Sequence, residues 1–197
     1  MCLILIGKSA SGKTTIRDIL TMKHGFHSIV TYTTRPMRKG EISDVTYHYI
    51  SNEEFLKKID EDFFVEWEKY RVGESVWYYG TAKEDIKDAD EKSVIILTPD
   101  GVRDILKYDS IKPIVIYLYS NIDTIRKRLS KRNDNKDKAE DRIKRDAKDF
   151  KYADLLADKI VYNNDGANIN EVVDNVITQY RKVLENGKKR FNNLFGW

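Results

Sequence analysis

The sequence predicts an α/β fold with a parallel sheet, because short apolar runs alternate with amphipathic helical patterns. The apolar runs are residues 2–6, 94–97, 114–119 and 159–162, with residues 28–30 as a candidate fifth. Each run has the length of a strand and few polar residues, which is typical of strands buried on both faces. Buried strands that alternate with helices predict a parallel five-stranded core sheet flanked by helices.

The helical patterns occupy the connections that a parallel sheet requires. Residues 14–23 follow the first strand, and residues 101–108 follow the strand at 94–97. Ser120, with Asp123 three residues later, forms a capping pattern that begins a third helix. The last helix is predicted at about 169–184, where apolar residues recur on one face: Ile169, Val172, Val173, Val176, Ile177 and Tyr180.

Two stretches interrupt this alternation. Residues 31–81 are rich in Thr, Tyr, Arg and Glu, and a capped helix at 51–59 followed by an alternating strand at 63–70 predicts a small β-rich insertion. Residues 130–150 are highly charged, which predicts a mobile flap or a solvated helical hairpin. The predicted division is a core of residues 1–30, 82–126 and 151–197, the insertion at 31–81 and the charged segment at 127–150.

Length, charge and cysteine usage restrict the class of protein. A chain of 197 residues is long enough for one domain with a substantial core. A net charge of +3 gives no reason to expect nucleic acid or a membrane surface as a partner. The single cysteine, Cys2, excludes an intrachain disulfide, and the apolar start is too short for a signal peptide or a membrane span. We therefore expect a cytoplasmic protein without nucleic-acid or membrane partners.

Residues 7–14 form the strongest motif in the chain. Their sequence, GKSASGKT, fits G-x-x-x-x-G-K-S/T and lies between an apolar strand and a helical pattern, as a phosphate-binding loop requires. Gly7 and Gly12 permit the backbone to wrap N–H groups around a phosphate, and the following helix adds the positive end of its dipole. Lys13 is expected to reach the β- and γ-phosphates of a nucleoside triphosphate, and the Thr14 hydroxyl to hold Mg²⁺.

A phosphate-binding loop alone does not identify the reaction, because GTPases, ATPases and small-molecule kinases share it. The chain has no N-K-x-D sequence of the kind that reads guanine in GTPases, which disfavours that class. Arg35, Arg38 and Tyr47 indicate a second phosphate site, since two guanidinium groups and a phenol can clamp a phosphate monoester. From spacing alone, a solvated basic turn explains these three residues equally well.

Four motifs, found in order along the chain, resemble those of the guanylate kinase family. They are TTRPMRKGE at residues 33–41 with Tyr47 six residues later, FVEW at 64–67, YYGT at 78–81 and the strand ending NND at 163–165. The resemblance covers nearly the whole chain. It implies a P-loop nucleoside monophosphate kinase fold, in which residues 31–81 bind the monophosphate and residues 127–150 form a helical lid. It also implies phosphoryl transfer from ATP to GMP or dGMP, with Mg²⁺ as cofactor.

The resemblance assigns roles at the acceptor site. It implies that the phosphate of GMP is bound by Arg35, Arg38, Tyr47 and Tyr79, and that its base is faced by Thr31, Glu66 and Thr81. A carboxylate suits guanine, whose N1–H and N2–H₂ form a pair of donors, and rejects adenine, whose N1 is an acceptor. Glu41 is expected to hold Arg38 or the loop instead of contacting substrate.

The resemblance also assigns roles at the donor site. ATP is expected to contact the loop residues Gly7, Lys8, Ser9, Ala10, Ser11, Gly12, Lys13, Thr14 and Thr15. Arg128, Arg132 and Arg142 match the arginines of the family's lid, which would close over the phosphates of both nucleotides. With Lys13 and Arg35 they form the predicted catalytic set, because phosphoryl transfer depends on positioning and charge stabilisation. Arg145 is a further candidate, and Arg128 could instead pair with a carboxylate.

The chain departs from the family pattern at three places. It has extra residues between Glu66 and Tyr79, it has Lys8 where the family usually has proline, and it differs after the third core strand. Where the family usually has D-x-D-x-Q-G, this chain has Ile96, Thr98 and Asp100 in place of the aspartates and the glutamine. Because the second aspartate helps to bind the base, another monophosphate or a sugar phosphate stays open as the acceptor. Asp100 is a candidate for a compensating contact or for a metal ligand. A non-catalytic binding module is a third alternative, which the intact Lys13 and Thr14 disfavour. The sequence does not distinguish a monomer from a homodimer.

Overall fold

The computed structural model describes residues 1–38, 40–108, 111–131 and 136–195, without the side chains of 72, 136–138 and 188–195. The strands are β1 (Leu3–Ile6), β2 (His27–Ser28), β3 (Tyr32–Thr33), β4 (His48–Tyr49), β5 (Phe64–Val72), β6 (Ser75–Ala82), β7 (Ser93–Ile96), β8 (Ile114–Tyr119) and β9 (Lys159–Tyr162). The helices are α1 (Lys13–Lys23), α2 (Asn52–Asp60), α3 (Lys83–Lys87), α4 (Pro99–Ile105), α5 (Ile122–Lys131), α6 (Lys136–Asp149) and α7 (Ile169–Phe195), with a short 3₁₀ helix at Ala153–Leu156.

Five strands form a parallel sheet in the order β2-β7-β1-β8-β9. This confirms the predicted α/β fold with a five-stranded parallel core. The candidate strand at 28–30 is shifted, because β2 ends at Ser28. Ile29 donates one more hydrogen bond to the carbonyl oxygen of Val94 (3.0 Å), and the chain then leaves for a second sheet.

Helices cover both faces of the core sheet. Leu3 and Leu5 of β1 pack with α1 and α7, whereas Ile4 and Ile6 pack with α4 and the 3₁₀ helix. All four side chains are fully buried, so each contributes about 1.5–3 kcal/mol relative to exposure. Burial on both faces explains why this strand contains no polar residue.

The carboxyl ends of the parallel strands meet at one edge of the sheet. β1 leads into Gly7, β7 into Leu97, β8 into Ser120 and β9 into Asn163. Ligands of parallel α/β sheets bind at this edge, because loops and helix N-termini converge there. The fold therefore places the phosphate-binding loop beside the loops that follow its two neighbouring strands, β7 and β8, with the end of β9 next along the same edge.

The insertion forms a second, four-stranded sheet in the order β4-β3-β6-β5. Phe55 of α2 stacks on Phe64 and Tyr78, which gives this sheet a small aromatic core. The sequence predicted α2 and most of β5, but not β3, β4 or β6. The residues between Glu66 and Tyr79 lengthen the β5–β6 hairpin, which turns at Gly73 (φ 64°).

The charged segment after β8 forms α5 and α6 in its described part. Ala139 and Ile143 of α6 pack against Ala10 and Leu129, so this helix lies on the phosphate-binding loop. Helix α7 continues to Phe195, beyond the end predicted at 184. Within residues 1–38, 40–108, 111–131 and 136–195, the structure contains no helix that is long and apolar enough to cross a membrane.

Candidate active site

Gly7 and Gly12 shape the phosphate-binding loop. A Cβ atom at position 7 would lie 2.6 Å from the carbonyl oxygen of Leu118, and one at position 12 would lie 2.5 Å from Nδ2 of Asn163. Gly12 also has φ 101°, a conformation that side chains rarely adopt. Both positions therefore require glycine, one for close approach alone and the other for close approach and backbone angle.

Lys13 is the first residue of α1, and its ammonium group lies over the loop that precedes it. Nζ donates to the carbonyl oxygens of Gly7 (2.6 Å) and Lys8 (3.1 Å). Thr14 and Thr15 follow in the first turn of α1 and line the adjoining cleft. A cation, two hydroxyl groups and the positive end of a helix therefore converge where a polyphosphate is expected.

A cleft of ≈ 890 Å³ connects this loop with the second sheet and with α6. The predicted site residues that line it are Gly7, Ser9, Ala10, Gly12, Lys13, Thr14, Thr15, Thr31, Arg38, Tyr47, Glu66, Tyr79, Asp100 and Arg142. Lys8, Ser11, Arg35, Thr81 and Arg128 do not line it, and Arg132 falls outside the described residues. The structure thus brings most of the predicted donor and acceptor residues into one cavity.

Arg128 lies against the backbone of the phosphate-binding loop. NH1 donates to the carbonyl oxygens of Ala10 (3.2 Å) and Ser11 (3.3 Å), and NH2 donates to Oδ1 of Asn163 (3.3 Å). Asn163 also donates through Nδ2 to the carbonyl oxygen of Ser11 (2.8 Å). These bonds support the loop, so in this structure Arg128 does not extend over the cleft. Sequence reasoning did not single out Asn163, although it belongs to the NND motif.

A buried ion pair holds the loop between β3 and β4. NH1 and NH2 of Arg35 donate to Oε2 (3.0 Å) and Oε1 (2.7 Å) of Glu41, and Arg35 is only 4% exposed. Oε2 also accepts from the backbone N–H of Arg38 (2.6 Å) and from the Tyr49 hydroxyl (2.8 Å). Desolvation alone would raise the pKa of Glu41, but these hydrogen bonds lower that pKa to about 2. Glu41 therefore holds the loop, with the side chain of Arg35 as its partner.

Tyr47 and Tyr79 bring phenol groups to the cleft wall beside Arg35. The guanidinium carbon of Arg35 lies 5.5 Å from the ring centroid of Tyr47, and the rings of Tyr47 and Tyr79 are 6.1 Å apart. Arg38 lines the same wall and is exposed. Arg38 and the two phenols therefore face the cleft, whereas contact between the buried Arg35 and a phosphate stays a prediction.

Glu66 is a buried carboxylate in the cleft wall. It is 7% exposed, and Oε1 accepts a hydrogen bond from the Thr81 hydroxyl (2.5 Å). Oε2 lies 3.0 Å from the position of a Cβ added at Gly101, so glycine leaves room for the carboxylate. Burial raises the pKa of Glu66 to about 7, although the bond from Thr81 opposes the change. When ionised, such a group accepts two donors; when protonated, it loses that ability.

The residues that depart from the family pattern lie in the same part of the cleft. Thr98 accepts a hydrogen bond from the backbone N–H of Gly101 (3.1 Å) and so caps α4. Ile96 presents an apolar side chain to the cleft, and the exposed carboxylate of Asp100 pairs with Arg103. Compared with the aspartate of the family pattern, Thr98 can still cap α4, but it brings no carboxylate to the cleft.

Glu68 is a cleft residue that sequence reasoning missed. It shares one face of β5 with Glu66 and accepts a hydrogen bond from the Tyr70 hydroxyl. Among the described residues, its Oε1 is buried without a hydrogen-bond partner, and desolvation raises its pKa. The sequence did contain a signal for it: residues 66, 68 and 70 alternate along a predicted strand, so Glu68 had to lie on the same face as Glu66.

Helix α6 presents both cations and anions to the cleft. Arg142 and Arg145 line it together with Asp146 and Asp149. Oδ2 of Asp146 accepts a hydrogen bond from the backbone N–H of Ser9, in the phosphate-binding loop, at 2.6 Å. Nothing in the sequence pointed to this contact, because Asp146 lies in a long run of charged residues.

Comparison with known proteins gives one consistent result. The guanylate kinase family model matches residues 1–196 of the chain. Guanylate kinase of Fusobacterium nucleatum is 26% identical over 94% of this chain and 96% of its own length, and guanylate kinase of Helicobacter hepaticus is 36% identical over 66% of each. The crystal structure of guanylate kinase from Anaplasma phagocytophilum shares the fold, with a TM-score of 0.68 at 20% identity over 92% of this chain and 85% of that one. The chain belongs to the guanylate kinase family.

Proposed function

We propose that the protein transfers the γ-phosphoryl group of ATP to GMP or dGMP, giving ADP and GDP or dGDP. The observation that carries the proposal is one cleft in which a phosphate-binding loop with Lys13 faces a wall that holds the buried carboxylate of Glu66. Membership of the guanylate kinase family supports the same reaction. We further propose residues 31–81 as the acceptor-binding insertion, 127–150 as the lid, and 1–30, 82–126 and 151–197 as the core.

Selection of guanine follows from the chemistry of Glu66. Guanine offers N1–H and N2–H₂ side by side, and an ionised carboxylate can accept from both. The Thr81 hydroxyl fixes the carboxylate by donating to Oε1, which has a second lone pair for the base. Adenine would bring the acceptor N1 against the same carboxylate, so it would be rejected. This account needs no carboxylate at position 98.

Phosphoryl transfer depends on the charges around the loop. Lys13 and the backbone N–H groups would hold the donor phosphates, and Arg142 would stabilise the charge that develops between donor and acceptor. Thr14 lines the cleft, and its hydroxyl is a hard oxygen ligand of the kind that suits Mg²⁺ together with phosphate oxygens and water. There, Mg²⁺ would supply neutralisation of the charge on the β- and γ-phosphates. Asp100 as a metal ligand stays a prediction, since its carboxylate pairs with Arg103.

The proposal is tested by measuring both products of the reaction. With ATP, Mg²⁺ and GMP, we expect ADP and GDP to form in equal amounts. ADP formation without GMP should be at least about 100-fold slower, because binding of the acceptor would complete the catalytic site and water would be a poorly positioned substitute. Chromatography of the nucleotides at successive times gives both quantities. Formation of ADP without GDP would contradict phosphoryl transfer to GMP.

The raised pKa of Glu66 predicts a pH dependence of GMP binding. Since this pKa is about 7, the carboxylate becomes protonated as the pH falls below 7 and can no longer accept from both guanine donors. We expect the KM for GMP to increase as pH falls from 8 to 6, approaching about 10-fold per pH unit below the pKa. The KM for ATP should not follow this curve.

A matched variant separates this effect from titration of the GMP phosphate itself. Glu66→Gln keeps the phosphate titration and removes the carboxyl group, so its weaker GMP binding should lack the step near pH 7. A step of equal size in the variant would assign the pH dependence to the substrate.

Three further points stay predictions from the sequence. They are a cytoplasmic location, the absence of nucleic-acid and membrane partners, and an oligomeric state of either monomer or homodimer. None of them is required by the proposed reaction.

A further inference from the structure

Helix α6 places a carboxylate on the backbone of the phosphate-binding loop. Oδ2 of Asp146 accepts from the backbone N–H of Ser9 at 2.6 Å, between residues 137 positions apart in the sequence. Ser9 lies within GKSASGKT, the loop whose N–H groups are expected to surround a phosphate. The carboxylate therefore occupies a position where an anionic oxygen of the donor is expected.

Other contacts of α6 hold this carboxylate in place. Ala139 and Ile143 pack against the apolar cluster formed by Ala10, Ile125 and Leu129. Nε of Arg126 in α5 donates to Oε1 of Glu140 at 3.1 Å, which ties the two helices together. The bond from the Ser9 N–H to Oδ2 of Asp146 (2.6 Å) adds a polar contact to this apolar packing. The contact is thus part of how α6 docks on the loop.

We propose that Asp146 is a latch residue of the donor site, which competes with a phosphate oxygen of the donor for the N–H of Ser9. A carboxylate and a phosphate oxygen cannot both take this one hydrogen, and their like charges repel at such a distance. Donor binding at this N–H therefore requires the Asp146 carboxylate to leave Ser9. The inference rests on the proposed function only for the identity of the donor, because any polyphosphate would compete in the same way.

The latch has a consequence for donor affinity. While Asp146 holds the N–H of Ser9, the donor phosphate cannot use it. The apparent affinity for the donor therefore equals the affinity of the open loop multiplied by the fraction of molecules in which the latch is open. Arg142 and Arg145 line the same cleft. Displacement of Asp146 removes a negative charge from beside these arginines at the moment when the donor phosphates arrive. Binding of the donor is thereby coupled to loss of the hydrogen bond that helps to dock α6 on the loop.

Removing the carboxylate should strengthen ATP binding. Asp146→Ala deletes the acceptor and suits the interior of a helix, so α6 should persist. We expect calorimetric titration with ATP and Mg²⁺, without acceptor, to show a Kd about 3- to 10-fold lower than that of the parent protein. Asp146→Asn, which keeps an uncharged acceptor, should give a smaller decrease.

Asp149→Asn is the matched control for charge. Asp149 lies on the same helix and lines the same cleft, and among the described residues it makes no hydrogen bond to the loop. Its substitution should change the Kd of ATP by less than about 2-fold. An equal gain in affinity in both variants, or no gain in Asp146→Ala, would overturn the latch.

A second readout does not depend on the proposed reaction. In the protein without nucleotide, hydrogen exchange should be faster in Asp146→Ala than in the parent for peptides containing Ser9 and residues 139–149, but not in Asp149→Asn. Inorganic tripolyphosphate should displace the latch in the parent and so speed exchange of 139–149. Unchanged exchange in Asp146→Ala would overturn the latch. If exchange behaves as expected while no GDP is ever formed, the latch stands and the proposed function fails.

Discussion

Replacing Lys13 by methionine should lower kcat by about 10³-fold, because it removes the cation nearest the transferred phosphoryl group. In the structure, Nζ of Lys13 lies over the loop and donates to the carbonyl oxygens of Gly7 and Lys8. Methionine has a side chain of similar length without charge or donors, so the shape of the loop should be retained. The rate of GDP formation at saturating ATP and GMP is the measurement.

The control for this variant is Lys23→Met, in the last turn of the same helix, α1. Lys23 is exposed and distant in sequence from the loop, so its loss changes net charge equally without touching the site. Its kcat should stay within about 2-fold of the parent value. A Lys13→Met protein that keeps a tenth or more of the parent kcat, with normal thermal unfolding, would contradict the assigned role and favour a non-catalytic binding module.

Glu66→Gln should lower kcat/KM for GMP by about 100-fold, mainly through KM. Glutamine offers one acceptor and an NH₂ donor, so one guanine donor would face another donor in a buried site, which costs about 1–3 kcal/mol or more. The Thr81 hydroxyl can still donate to the amide oxygen, so the hairpin should fold as before. The KM for ATP should not change, because Glu66 lies on β5, in the second sheet.

Glu74→Gln is the matched control for this prediction. Glu74 lies in the turn of the same β5–β6 hairpin and is exposed. The variant therefore makes the same replacement of carboxylate by amide, but at a position outside the cleft wall. Its GMP kinetics should equal those of the parent. Equal efficiency of Glu66→Gln and the parent with GMP would show that another group reads the base, and Glu68 would be the next residue to test.

The core of the fold could be predicted because its signals are local. A buried parallel strand such as β1 must be apolar on both faces, and a phosphate-binding loop requires Gly7 and Gly12 at fixed places. Strands β3 and β4 have two residues each, and so short a segment has no periodicity to detect. Strand β3 exists because the long β5–β6 hairpin offers an edge on which it pairs with β6, and β4 in turn pairs with β3.

The part of the candidate site that could be predicted is the part that local sequence motifs encode. Glu66 and Tyr47 were found through motifs, whereas Asn163 and Asp146 act through contacts between segments far apart in the sequence. Their residue types are ordinary for a strand end and a solvated helix. Only the position of the chain in space distinguishes Asp146 from the other acidic residues of α6.

The most direct test of the account is a competition between acceptors for one donor. The parent protein receives γ-phosphoryl-labelled ATP in limiting amount, with Mg²⁺ and equal concentrations of GMP, dGMP, AMP, CMP, UMP and dTMP, and the labelled diphosphates are separated and counted. If Glu66 selects guanine, labelled GDP and dGDP should exceed every other labelled diphosphate by at least about 100-fold. Labelled ADP, or a labelled pyrimidine diphosphate, as the main product would contradict the claim that the buried carboxylate of Glu66 selects guanine.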